Sequence, residues 1–100
     1  MALTPIHPGE HLKEELKALD MSAAKLARKL NVRSNRITHI LNGRRGIRGD
    51  TVLRLSHFFG TSAEFWLNLQ SLYDLRLARQ KAGKAIDSLP KLKKVEHSPA

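Results

Sequence analysis

The cationic residues of this 100-residue chain are concentrated in one segment. Residues 25–48 contain eight lysines and arginines and no aspartate or glutamate, and the whole chain carries a net charge of +9. A basic segment inside an ordinary globular composition is typical of a surface that binds phosphate groups. The alternative is a solvated basic face without a partner. Because apolar residues at helical spacing run through the same segment, we favour a polyanionic partner, either nucleic acid or an acidic protein.

The composition indicates one globular domain, since 41% of the residues are hydrophobic and 27% are charged. The chain has no cysteine, which excludes disulfides and thiolate metal sites and is compatible with the cytosol. No apolar run approaches the roughly 20 residues that span a bilayer, and the N-terminus lacks a secretory signal pattern. We therefore expect a cytoplasmic protein that makes no membrane contact and needs no cofactor.

The apolar spacing is helical throughout, and period-2 alternation is absent, so we expect an all-α fold. The predicted helices cover about residues 8–19, 22–30, 33–42, 50–59 and 62–81. Residues 1–80 would form the folded domain, with a helix-turn-helix at about residues 22–42, and residues 82–100 a basic, mobile tail.

Local residue chemistry predicts where these helices start and stop. Ser22 is expected to cap the second helix, and Asn31 to end it in the left-handed conformation. Gly43 and Gly60 are the expected stops of the third and fourth helices. Thr61 and Glu64 together would form a capping box for the fifth helix. The predicted core comprises Leu12, Leu16, Leu19, Leu26, Ala27, Leu30, Ile37, Ile40, Leu41, Val52, Leu55 and Phe59.

Two short helices joined by a tight turn inside a basic segment form the helix-turn-helix pattern. The second of these helices can enter a major groove, where asparagine and arginine bond to adenine and guanine edges. The residues predicted to read bases are Ser34, Asn35, Arg36, Thr38 and His39. Those predicted to contact the DNA backbone are Ser22, Ala23, Arg33, Asn42, Arg44, Arg45 and Arg48.

The fifth helix carries more apolar residues than one face can bury against the domain. In so small a chain, the simplest partner for the surplus is a second subunit. The residues predicted to form this dimer interface are Phe65, Trp66, Leu69, Leu72 and Tyr73.

The sequence gives little support for a metal site, an enzyme or a protein that recognises single-stranded RNA. His7 and His11 are four residues apart, but two ligands without a third do not make a zinc site. No nucleophile–base–acid set or phosphate-binding glycine loop is present, so we expect neither a metal site nor an enzyme. Recognition of single-stranded RNA relies on stacking aromatics, and all five aromatic residues lie outside the basic segment.

Several segments of the chain form a distinctive set, at residues 7–10, 40–47, 50–51, 53–55, 58–62, 64–70 and 73–75. Together they resemble the HigA antitoxin family, which belongs to the wider class of Cro/CI-type helix-turn-helix repressors. The resemblance covers about residues 5–80 and is more specific than a generic helix-turn-helix.

The resemblance implies a five-helix, Cro/CI repressor-like dimer that binds a palindromic operator in double-stranded DNA and represses its own operon. It also implies a partner toxin of the HigB type, a small ribonuclease that the antitoxin neutralises. By position, Ser34, Asn35, Arg36 and His39 fall where such repressors read bases, and Asn42 where they contact phosphate. A stand-alone repressor without a toxin would need the same surface, so the sequence leaves that alternative open.

Overall fold

Five α-helices make up most of residues 4–93, the part of the chain that the computed structural model describes. The helices are α1 (Pro8–Leu19), α2 (Ala23–Leu30), α3 (Ser34–Leu41), α4 (Gly49–Phe59) and α5 (Ala63–Asp87). No strand occurs within residues 4–93, so the predicted five-helix, all-α architecture is confirmed. None of the helices in this range has the length and apolar composition that crossing a bilayer requires.

The helix boundaries follow from side chains that satisfy backbone groups at the helix ends. His7 caps α1, where its Nδ1 accepts a hydrogen bond from the Gly9 N–H at 2.8 Å. Ser22 caps α2 as predicted, with its Oγ accepting from the Lys25 N–H at 3.1 Å. Asn31 ends α2 with φ = 58°, in the predicted left-handed conformation, and Gly60 ends α4 with φ = 72°.

The start of α5 differs from the prediction. The Ser62 hydroxyl, not that of Thr61, accepts a hydrogen bond from the Phe65 N–H at 3.2 Å. The Thr61 hydroxyl instead accepts from the Trp66 indole N–H at 2.8 Å. The predicted Thr61–Glu64 capping box is therefore wrong, because the helix begins one residue later. Glu64 lies in the first turn of α5, where its charge favours the positive end of the helix dipole.

The end of α5 also lies beyond the predicted position, since the helix continues past Lys81 to Asp87. The Arg79 guanidinium spans this extension and donates to the Asp87 carboxylate at 2.8 Å. Gly83 is buried beneath the Arg79 side chain, which leaves no room for a Cβ there. Residues 82–87 therefore belong to the helix rather than to a tail. The division into a domain and a basic tail stays a prediction, and residues 94–100 lie outside the described residues.

The helices enclose one apolar core. Its buried side chains are Leu12, Leu16, Leu26, Ala27, Leu30, Ile37, Ile40, Ile47, Val52, Leu55 and Trp66. α1 and α3 approach closely at Gly9, where a Cβ would collide with the Ile40 carbonyl. Leu19, predicted to lie in the core, is 51% exposed because it occupies the last turn of α1, and Met21 packs against the core just beyond it.

Candidate nucleic-acid interface

α2 and α3 form the predicted pair of short helices joined by a tight turn. The turn is closed by a hydrogen bond from the Val32 N–H to the Ala27 carbonyl at 2.9 Å. Ala27 on α2 and Ile37 and Ile40 on α3 are buried, which attaches α3 to the domain along one side only. The opposite side of α3 therefore remains available to a partner.

The residues predicted to read bases fall into three groups in the structure. Ser34, Asn35 and Thr38 are exposed on α3, and the Thr38 hydroxyl donates to the Asn35 carbonyl at 3.2 Å. His39 is half-buried at the edge of this face, and its backbone carbonyl accepts hydrogen bonds from the Arg44 and Arg45 N–H groups. The third group is Arg36 alone, and its side chain is directed towards α4.

The Arg36 guanidinium is held on α4 rather than on the outer face of α3. Its Nη1 donates to the Asp50 carboxylate at 2.7 Å, and its side chain is 29% exposed. One nitrogen of the group that would bond to guanine is thus engaged with Asp50, and base reading by Arg36 stays a prediction. The sequence pattern did not reveal this contact because Arg36 and Asp50 are fourteen residues apart.

Asp50 joins three helices through two arginines. Besides Arg36, its carboxylate accepts a hydrogen bond from Arg54 Nε at 2.8 Å. Arg54 Nη1 in turn donates to the Leu30 carbonyl at 2.7 Å, near the C-terminus of α2. Hydrogen bonds from Arg54 and Arg36 lower the pKa of Asp50. This arrangement of Arg36, Asp50 and Arg54 stabilises the position of α3 against α2 and α4.

The loop between α3 and α4 carries three of the predicted backbone-binding arginines, and we call residues 43–48 the arginine loop. Arg44, Arg45 and Arg48 are exposed, and none of them forms an ion pair with a carboxylate of residues 4–93. The Asn42 side chain turns towards this loop, with its Oδ1 accepting from the Arg44 N–H at 3.2 Å. The Asn42 amide NH₂ is then the part of this side chain that can donate to a phosphate.

α5 holds the arginine loop in place through a residue that the sequence analysis did not single out. Gln70 Oε1 accepts a hydrogen bond from the Ile47 N–H at 2.8 Å. Gln70 Nε2 donates to the Asp74 carboxylate at 2.9 Å. Gly46 makes room for this contact, since a Cβ there would lie 2.8 Å from Gln70 Oε1. The sequence did contain one signal for this arrangement. The spacing of Gln70 and Asp74 places their side chains next to each other on one face of a helix.

His7 lies against the same loop and the same helix. Its ring packs edge-on against Tyr73 at a centroid distance of 4.9 Å. Burial lowers the pKa of His7, and the Arg45 backbone and the charges of Glu10 and Asp74 oppose this shift. Since Nδ1 accepts from Gly9, the neutral ring is the form that this site requires.

Acidification is therefore expected to destabilise the fold through His7. Because burial holds its folded pKa below the ordinary value of 6.5, the unfolded chain binds the proton more readily. The stabilisation is complete above pH 6.5 and is lost as the pH falls through that value towards the folded pKa. Urea unfolding at about pH 7.5 and about pH 5 measures the loss.

His7→Asn provides the comparison, because asparagine retains an acceptor for the Gly9 N–H but does not titrate. The natural chain is expected to lose more unfolding free energy between the two pH values than this variant. Asp50 titrates at lower pH in both proteins and does not affect the difference. Parallel pH profiles for the two proteins would show that His7 contributes nothing to the pH dependence.

The predicted dimer interface requires one correction. Trp66 is 1% exposed and lies in the core of its own subunit, with its ring against His11, Phe59 and Phe65. It cannot contact a second subunit, because its surface is already covered. Leu69 and Tyr73 are partly covered in the same way.

Phe65 and Leu72, by contrast, are 36% and 46% exposed on α5. They are seven residues apart, which places them on one face of the helix. Leu75 is also exposed, at 68%, and lies one turn further along. The exposed apolar surface of α5 is thus centred on Leu72 and Leu75.

Two helices joined by a tight turn, with a polar outer face and an adjacent cationic loop, define a helix-turn-helix protein. The helix-turn-helix family model matches residues 12–66 of the chain. Virulence-associated protein I of Dichelobacter nodosus is 51% identical over 76 residues, which is 75% of this chain and 70% of that protein.

Solved structures of similar proteins share the fold of this chain. An addiction module antidote protein of a HigA family from Coxiella burnetii is 52% identical, with a TM-score of 0.85, and the match covers 98% of this chain and all of that one. Pseudomonas aeruginosa antitoxin HigA, solved with the higBA promoter, is 45% identical with a TM-score of 0.85 and covers 89% and 99% of the two chains. The chain belongs to the helix-turn-helix family and, within it, to the HigA antitoxin family, which confirms the resemblance found in the sequence.

Proposed function

We propose that this chain is a DNA-binding antitoxin that represses its own operon and neutralises a partner ribonuclease toxin of the HigB type. The observation that carries the proposal is the outer face of α3, where exposed polar side chains lie beside the arginine loop. A relative with the same fold was solved with the higBA promoter, which supports DNA as the ligand of this surface. A duplex supplies both the base edges and the phosphates that such a surface fits.

Sequence reading is assigned to the exposed residues of α3. Asn35 is the strongest candidate, because a carboxamide can bond bidentately to adenine in the major groove. Ser34 and Thr38 offer hydroxyls on the same exposed surface, and His39 lies at its edge. Arg36 would join this group only by releasing Asp50, to which its guanidinium is bound in the chain without DNA.

Affinity is assigned to the groups around α3 that can reach phosphates. Arg44, Arg45 and Arg48 in the arginine loop supply the charge at one end of α3, and the Asn42 amide lies beside them. Arg33 precedes α3 at the other end and is exposed. The N-terminus of α2, at Ser22 and Ala23, offers backbone N–H groups to a third phosphate.

A homodimer is proposed to form through the exposed apolar face of α5, centred on Leu72 and Leu75. Two copies of α3 must lie about 34 Å apart to enter successive major grooves of a palindromic operator. The dimer supplies this spacing, because each subunit then presents one α3 to the same side of the duplex.

The chain is proposed to act by binding rather than by catalysis. The HigA antitoxin of Pseudomonas aeruginosa was solved with a promoter DNA, and within residues 4–93 no three His, Asp or Glu side chains are grouped so that they could hold a metal ion. The proposed partners, a duplex and a toxin, are both macromolecules that can be captured by surface contacts alone.

Coexpression with the neighbouring gene of the operon tests the proposed function. If that gene encodes a ribonuclease toxin, its induction alone is expected to stop growth, and coexpression of this chain is expected to restore it. The purified chain is also expected to bind the promoter duplex of the operon more tightly than single-stranded RNA of the same length. Promoter binding without any rescue of growth would instead identify a stand-alone repressor.

A further inference from the structure

The arginine loop is attached to α3 at its start and to α5 near its end. The Arg44 and Arg45 N–H groups donate to the His39 carbonyl at 2.9 and 3.1 Å, and the Ile47 N–H donates to Gln70 Oε1 at 2.8 Å. The Ile47 side chain is buried, whereas the three arginines of the loop are exposed. The course of this backbone decides where those three guanidinium groups lie relative to α3.

Gln70 is oriented so that only one arrangement of its amide satisfies both neighbours. The Ile47 N–H needs an acceptor, and the Asp74 carboxylate needs a donor. The amide oxygen must therefore face the loop, and the amide NH₂ must face Asp74. Because Asp74 lies one turn along the same helix, its carboxylate favours the orientation in which the amide oxygen faces the loop.

We infer that Gln70, oriented by Asp74, is a positioning residue that holds the arginine loop in the geometry needed to contact the DNA backbone. This inference rests on the proposed phosphate-binding role of Arg44, Arg45 and Arg48. Gln70 itself touches no DNA in this assignment, since it lies beneath the loop and is half-buried. Its effect is transmitted through one backbone hydrogen bond at Ile47.

Gln70→Met tests the inference, because methionine matches glutamine in length, suits a helix and carries no charge. Each phosphate contact releases counterions and contributes about 0.9 to the slope of log affinity against log salt. Displacing the loop in both subunits of the proposed dimer is expected to make this slope shallower by about 1.8, the loss of one phosphate contact in each subunit. Affinity at low salt should fall about tenfold for the operator and for unrelated duplexes alike.

The slope of log affinity against log salt distinguishes a displaced arginine loop from a general loss of protein stability. The substitution leaves the net charge unchanged, so a shallower slope reports displaced arginines rather than missing ones. Faster hydrogen exchange of the Ile47 amide in the unbound variant would show directly that the loop has lost its anchor. Asp74→Asn retains an oxygen that can accept from Gln70, and it is expected to keep the Ile47 amide exchanging as slowly as in the natural chain.

Gln80→Met is the matched control, since Gln80 is exposed on the same helix and lies ten residues further along. It is expected to leave both the slope and the affinity unchanged. If Arg44→Ala flattens the slope but Gln70→Met does not, the positioning role is wrong while the proposed phosphate contacts stand. If neither substitution changes the slope, the phosphate-binding role of the loop is itself wrong.

Discussion

Replacing Trp66 with alanine is expected to lower the free energy of unfolding by about 3–5 kcal/mol. The side chain is 1% exposed, so the substitution would leave a large cavity between α5 and α4. It would also remove the hydrogen bond from the indole N–H to the Thr61 hydroxyl. Against a typical total stability of about 5–15 kcal/mol, this loss is severe. Urea unfolding followed by circular dichroism measures it without requiring tryptophan fluorescence.

Leu72→Ala is the comparison for this prediction, because Leu72 lies on the same helix but is 46% exposed. This variant is expected to stay folded and to shift the equilibrium from dimer towards monomer, which sedimentation at several concentrations can measure. A stable Trp66→Ala variant that had become monomeric would contradict the placement of Trp66 in the core of its own subunit.

Replacing both Arg44 and Arg45 with alanine is expected to weaken DNA binding by about tenfold or more for each arginine. A hydrogen bond to a charged group contributes about 1.5–3 kcal/mol, and about 1.4 kcal/mol is a factor of ten in affinity. Because the proposed dimer carries two arginine loops, four contacts are lost, and the slope of log affinity against log salt should become shallower by about 3.6. Titrations of the operator duplex and of an unrelated duplex, each at several salt concentrations, measure both effects.

Asn35→Ala is the comparison for the arginine double variant. Because Asn35 is assigned to a base edge, its loss is expected to weaken operator binding by about 1–3 kcal/mol and to relax preference at one position. Binding to the unrelated duplex and the salt slope should change little. If the double arginine variant instead altered which sequence is preferred, the separation of phosphate contacts from base contacts would be wrong.

The amino-acid sequence was sufficient to place most of the helices. Ser22 as a cap and Asn31 as a left-handed terminus are local features, because each acts on backbone groups within four residues. The two ends of α5 were predicted less well. A serine and a threonine are adjacent at its start, and only the contact of Thr61 with Trp66 decides which one caps the helix.

The sequence predicted where the candidate site lies, but it did not predict the role of every residue in that site. The basic segment and the helix-turn-helix pattern are properties of charge and spacing, so residues 22–48 contain them regardless of the details of packing. The roles of Arg36 and Trp66 depend on what surrounds them. A basic side chain on a recognition helix looks the same in sequence whether it faces DNA or a carboxylate fourteen residues away.

The sequence by itself determined the all-α class, the turn between α2 and α3, and the cationic surface beside them. Hydrophobic spacing, caps and net charge are local quantities, and they can be evaluated without knowing which helices touch. Only the tertiary structure decided that Asp50 binds Arg36, that Trp66 is buried within its own subunit, and that Gln70 supports the arginine loop. Each of these contacts joins residues of different helices or loops, so it depends on how the elements pack.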